Sequence, residues 1–142
     1  MVDFRFDVKI SASCFAQLKR HRMMTLLPSN YINTEDVIIP ESIIKSKLKY
    51  KFLEIIEDTN SIIDKTPYVI TNSHPRFVSF KINLREMYHF CRMRMDNHAQ
   101  WEIRNLAFKM YDLAYRKCPI GMSLCCGKDK FDEVYDKIFT KK

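Results

Sequence analysis

At 142 residues the chain has the length of one ordinary domain, and folding at this size buries enough surface for one core. An apolar fraction of 46% and a charged fraction of 29% exclude a disordered, collagen-like or low-complexity chain. The net charge of +7 favours anionic partners without choosing among nucleic acid, membrane headgroups and phosphorylated small molecules.

Residues 3–10 alternate strictly, with Phe4, Phe6, Val8 and Ile10 on one face and Asp3, Arg5, Asp7 and Lys9 on the other, which predicts a half-buried strand. Ser11 and Ser13 offer N-caps for a short helix from about Cys14 to Arg22. It carries Phe15, Leu18 and the basic run Lys19-Arg20-His21-Arg22. Residues 25–40, punctuated by Pro28, Asn30, Asn33 and Pro40, read as a connection. From Glu41 to about Asp64 an apolar stripe predicts one helix, and Pro40 suits its start.

Pro67 and Pro75 bracket an extended stretch around Tyr68–Thr71, and a second strand is expected over Arg76–Ile82. Asn83 with Glu86 resembles a capping box and opens a helix over roughly 84–95. A longer helix over 98–117 is stopped by Pro119 and Gly121, and an amphipathic helix over 130–139 closes the chain. The order β-α-α-β-α-α-α, with no repeat and no linker, predicts one α+β domain over 1–142, a small antiparallel sheet packed with several helices.

The cysteines at 14, 91, 118, 125 and 126 form no C-x-x-C pair and no Cys/His zinc spacing. They read as reduced, mostly buried thiols of a cytoplasmic protein, and no metal site is expected. Charged Asp3, Arg5 and Asp7 do not fit a signal peptide, and the apolar runs are far short of a membrane span.

Only Gly121 and Gly127 occur, neither in a strand-to-helix turn, which excludes a dinucleotide-binding glycine fingerprint and a P-loop. A phosphate-bearing ligand would therefore be held by Arg side chains and helix N-termini. Two basic clusters stand out. Lys19–Arg22 closes the first helix, where it either grips oxyanions or complements the helix C-terminus. Arg85, His89 and Arg92 share one face of the 84–95 helix at i, i+4, i+7. Arg94 falls on the opposite, apolar face with Met87, Phe90 and Cys91, where it either pairs or snorkels. No Ser-His-Asp or Cys-His spacing appears. Residue chemistry alone reaches an anion-binding α+β domain.

The run from Asn83 through Trp101-Glu-Ile-Arg104, extended by Tyr115-Arg-Lys-Cys-Pro119, resembles the carboxy-terminal signature of flavin-dependent thymidylate synthases. Phe15-Ala-Gln-Leu-Lys-Arg-His-Arg22 is similar to that family's Arg-His-Arg motif, and both motifs stand in family order. The resemblance implies methylation of dUMP to dTMP, with methylenetetrahydrofolate supplying the carbon and FAD, reduced by NADPH, the hydride. It implies homotetramers with active sites between subunits, and dUMP rather than nucleic acid as the partner. It further implies that Arg20, His21 and Arg22 contact FAD, that Asn83, Arg85, His89 and His98 line the flavin site, and that Gln17 and Arg94 face dUMP.

This chain departs from the pattern in the phosphate-wrapping segment. Asn30 stands where the family has serine, Ser29 falls one place early, and Pro28 and Ile32 replace a Glu and an Arg. Another nucleotide-contacting Arg aligns near Pro67, and the family's amino-terminal helical portion has no counterpart before Asp3. A non-catalytic assembly module of the same fold and a basic nucleic-acid-binding domain are the alternative readings.

Overall fold

The structure, a computed structural model, describes residues 2–31 and 36–140. The alternating start forms strand β1 (Asp3–Ser11), whose odd positions are exposed through Lys9 and whose even positions are partly or fully buried. Ser11 then turns the chain into helix α1 (Ala12–Leu18), its Oγ accepting from Cys14 N at 3.0 Å. This helix is shorter than expected. Arg20 N donates to Gln17 O and His21 N to Leu18 O, tight i→i+3 bonds that end α1 and leave Lys19–Arg22 in a turn.

Strand β2 (Thr25–Pro28) occupies the start of what the sequence read as a connection. Four residues ending in proline show no alternation, so the strand is made by pairing rather than by pattern. Beside it Ser29 N donates to Phe77 O at 2.8 Å, in strand β3 (Pro75–Asn83). The three strands form an antiparallel sheet in the order β1-β3-β2. Leu84 N donates to Val2 O and Ala12 N to His74 O, the reciprocal spacing of an antiparallel β1–β3 pair. In β3, Val78, Phe80 and Ile82 are buried as the period of two requires.

The expected helix over 41–64 is two helices, α2 (Glu41–Lys45) and α3 (Lys49–Ile62). Ser46 Oγ donates to Ser42 O at 2.8 Å, and Lys47 takes a left-handed conformation with φ 60°. The apolar stripe passes through this break unmarked, because neither feature changes hydrophobic periodicity. Pro67–Val69 is a short 3-10 turn, not an extended segment. Three helices follow β3: α4 (Leu84–Arg94), α5 (Trp101–Lys117) and α6 (Phe131–Phe139). The start of α5 is set by Gln100, whose side chain accepts from Glu102 N and Ile103 N.

The chain divides into two compact units. One comprises Met1–Phe6, Gln17–Leu26 and Phe80–Lys142, the other Asp7–Ala16 and Leu27–Ser79. The core of the first is built from Leu18, Phe80, Ile82, Met87, Phe90, Ile103, Met110 and Met122, with Cys91 and Cys125 as buried thiols. The core of the second holds Ile10, Cys14, Ile56 and Val78, together with His74, whose ring is bonded to Asn60 Oδ1 and to Thr71. No helix among the described residues is long and apolar enough to cross a membrane.

Candidate functional site

Helix α4 organises the site in the first unit. Asn83 caps it, Oδ1 accepting from Glu86 N at 2.8 Å, so its NH₂ donors are what the carboxamide offers a ligand. Glu86 is buried in the first turn, and its Oε1 lies 3.2 Å from Nδ1 of His21, itself only 5% exposed. Arg94, at the far end of the same helix, donates from Nε to His21 Nε2 at 2.9 Å and from Nη1 to Gln17 Oε1 at 2.9 Å. The Arg94 that stood out on an apolar face is therefore half-buried and paired. The His21 ring packs edge-on against Phe90 and His89, with centroids 5.0 and 5.6 Å apart.

These contacts fix the protonation pattern. An arginine N–H can only donate, so His21 Nε2 accepts and its proton resides on Nδ1, donated to Glu86. Burial, then the Arg94 charge and His89, hold the His21 pKa down at about 4. Burial raises the Glu86 carboxyl above its ordinary value, and His89 partly offsets the rise. Around neutral pH the array Gln17–Arg94–His21–Glu86 thus has a neutral imidazole at its centre and a guanidinium held in one orientation.

Met23, Asn83, Arg85, Glu86 and His89 surround a cavity of about 380 Å³. The structure brings Asn83, Arg85 and His89 together around this cavity, and places Gln17, His21 and Arg94 in one hydrogen-bonded array. Arg20 and Arg22 are exposed on the turn after α1 and do not line this cavity. His98 also stands apart, its side chain 88% exposed and its Nδ1 2.8 Å from Asp96 Oδ1. Glu86 and Met23 were not legible as site residues. Glu86 read only as a capping residue, and nothing in the sequence marked Met23.

His21, Glu86 and His89 present atoms within 4.8 Å of one another, a spacing that could hold a metal. The hydrogen bonding opposes it. His21 Nδ1 carries the proton that Glu86 accepts, and a cation there would face the Arg94 charge.

In the second unit, the departures in the phosphate-wrapping segment have a structural reading. Ser29 Oγ donates to Asn30 O and accepts from Phe77 N, so the displaced serine is tied into the sheet edge. Arg76 binds Ser29 O and lies between the rings of Phe15 and Tyr31, 4.3 and 4.4 Å from their centroids. Ile32 lies outside the described residues.

The family model described as "Thymidylate synthase complementing protein" (Thy1) matches residues 1–120. The chain belongs to this family. Among curated relatives, the flavin-dependent thymidylate synthase of Pyrococcus furiosus is 31% identical over 129 aligned residues, covering 77% of this chain and 53% of that protein. That of Thermococcus onnurineus is 34% identical over 119 residues, covering 70% and 49%. The chain thus spans about half the length of these relatives. Among solved structures, the flavin-dependent thymidylate synthase ThyX of Helicobacter pylori, complexed with FAD and dUMP, superposes with a TM-score of 0.69 at 16% identity. That match covers 87% of this chain and 73% of the other, and it shows a shared fold.

Proposed function

We propose that the chain is the FAD- and dUMP-binding portion of a flavin-dependent thymidylate synthase, acting in the conversion of dUMP to dTMP. The observation that carries this reading is the Gln17–Arg94–His21–Glu86 array. It joins two motifs far apart in sequence through oriented hydrogen bonds, beside a cavity bordered by Asn83, Arg85 and His89. The donor set suits an anionic dinucleotide: Arg85 offers planar bidentate donors, and Arg20 and Arg22 present exposed charge nearby in sequence to His21.

In this reading FAD, when bound and reduced by NADPH, supplies the hydride chemistry. Asn83, Arg85 and His89 bind and orient it at the cavity, and His21 holds Arg94 and Glu86 in place beside them. The exposed Arg20, Arg22 and His98 belong to the same proposal as flavin contacts from outside the cavity. Gln17 and Arg94 orient the uracil nucleotide; the His21 bond to Nε sets the guanidinium plane. Methylenetetrahydrofolate as carbon donor, a homotetrameric assembly and a cytoplasmic setting belong to the same proposal.

The test is titration of the purified protein with FAD and then dUMP, read by visible absorbance and flavin fluorescence. Arg85→Ala is expected to weaken FAD binding at least about tenfold, the equivalent of one lost charged hydrogen bond. Arg94→Ala should spare FAD and weaken dUMP. Parental FAD affinity in Arg85→Ala and in Arg20→Ala together would overturn the placement of the flavin. A protein that stays colourless at every FAD concentration would overturn the reading; Pro28 and Asn30 bear instead on dUMP, whose phosphate the altered segment would have to hold.

A further inference from the structure

A second cavity, of about 300 Å³, is bordered by Arg85, Tyr88, His89 and Arg92 of α4 and by Leu124, Cys126, Gly127, Lys128 and Phe131 of the segment after α5. Arg85 and His89 border both cavities; Arg92, Lys128 and Phe131 border only this one. We propose that it is a binding site adjoining the flavin cavity, sharing Arg85 and His89 with it, for a small ligand that joins a phosphate to an aromatic ring.

The charge argument comes first. The α4 stripe at i, i+4, i+7 supplies two guanidiniums, Lys128 adds an ammonium from the opposite wall, and no carboxylate borders the space. Among the described residues neither Arg85 nor Arg92 has a carboxylate partner, and Arg92 acts electrostatically on the neighbouring Cys126 thiol. Lys128 Nζ is ion-paired with the buried Asp96 Oδ2 at 3.8 Å, too long for a hydrogen bond, so the pair offsets part of its charge and leaves its N–H donors able to turn to a ligand. Two guanidiniums without a carboxylate partner and one partly compensated ammonium border the space, a setting that favours a phosphate dianion.

The aromatic argument comes from the walls. Phe131 is 39% exposed at the rim, and its ring is braced by Tyr135 with centroids 6.0 Å apart. Tyr88 is fixed in the wall, its hydroxyl donating to Gly121 O at 2.8 Å. A planar ring attached to the phosphate can stack on the exposed phenyl face.

The cavity is also preorganised. Cys125 Sγ contacts Met87 O at 3.9 Å, and Asn97 Nδ2 donates to Asp129 Oδ2 at 2.6 Å. Gly127 lies so close to the chain that an added Cβ would come within 3.0 Å of the Met95 carbonyl. The wall that holds Lys128 and Phe131 is thus docked before any ligand arrives. The family model ends at residue 120, so this wall lies outside what the family match assigns.

The experiment is calorimetric titration of the full chain with adenosine 5′-monophosphate, adenosine and inorganic phosphate. We expect the monophosphate to bind more tightly than either fragment. Arg92→Ala and Lys128→Ala should each weaken it about tenfold, and Phe131→Ala should weaken it while leaving inorganic phosphate unaffected. FAD affinity should be unchanged in all three variants, and this arm separates the proposal from the flavin reading. Lack of monophosphate binding, or affinities unmoved by Arg92→Ala and Lys128→Ala, would overturn the site. So would a parallel loss of FAD binding, which would make the space part of the flavin cavity. All three side chains are partly or largely exposed, so misfolding is not expected to obscure the result.

Discussion

Acidification tests the buried imidazole at the centre of the site. His21 has a pKa of about 4 in the folded chain against 6.5 in its absence of structure. At about 1.36 kcal/mol per tenfold ratio of proton affinity, that gap corresponds to about 3 kcal/mol of stability. The sign follows from which state binds the proton more tightly. Between pH 6.5 and about 4 the unfolded chain takes up the proton first, so stability is complete above pH 6.5 and falls as pH drops through this window. Glu86 works in the other direction, because its raised pKa favours the folded state when protonated. The parent therefore loses less than His21 alone would cost.

His21→Gln removes the titration while keeping an oxygen to accept from Arg94 and an amide to donate to Glu86. Urea denaturation of parent and variant, stepped from about pH 7 to about pH 4.5, should show the difference between them changing by about 2–3 kcal/mol. Loss of the ring packing against Phe90 adds a pH-independent cost of about 1 kcal/mol to the variant. A constant difference across the window, or a His21 imidazole that titrates near 6.5 by NMR, would refute the assigned tautomer and its burial.

Arg76→Ala removes a guanidinium stacked between two rings and bonded to Ser29 O, and should cost about 1–2 kcal/mol by thermal or urea denaturation. Arg76→Lys, which lacks the planar fork, should recover less than half of that; full recovery would show that charge alone matters. Lys47 holds a left-handed conformation, so Lys47→Val should destabilise the chain by about 1 kcal/mol whereas Lys47→Gly should not; equal losses would contradict the conformation.

The strands β1 and β3 and the cap at Asn83 were legible because alternation and capping chemistry are local, written within about ten residues. Strand β2 was not, since its four residues acquire strand geometry from a neighbour. The break at Ser46–Lys47 was hidden because a hydrophobic stripe records which face is apolar, not whether the backbone is continuous. In the site, Arg94 was conspicuous as a charge on an apolar face, and the resemblance set it and Gln17 both toward dUMP, without showing that they bond to each other. Its bond to His21 and the bond from His21 to Glu86 join residues 73 and 65 positions apart, a distance over which spacing carries no information. Phe131 read only as part of the apolar stripe of the last helix and nothing marked Lys128; folding brings both to the cavity that Arg92 borders.

The segment after α5 is held by the buried Met122 and Cys125, by the Tyr88 hydroxyl on the Gly121 carbonyl, by the Asn97–Asp129 bond and by the close fit of Gly127 against Met95. Attachment and selectivity are thereby assigned to different atoms. Side chains 128 and 131 can be exchanged without unfastening the segment, so this wall is an interchangeable faceplate, one on which new ligand preferences can be written while the helices behind it stay as they are.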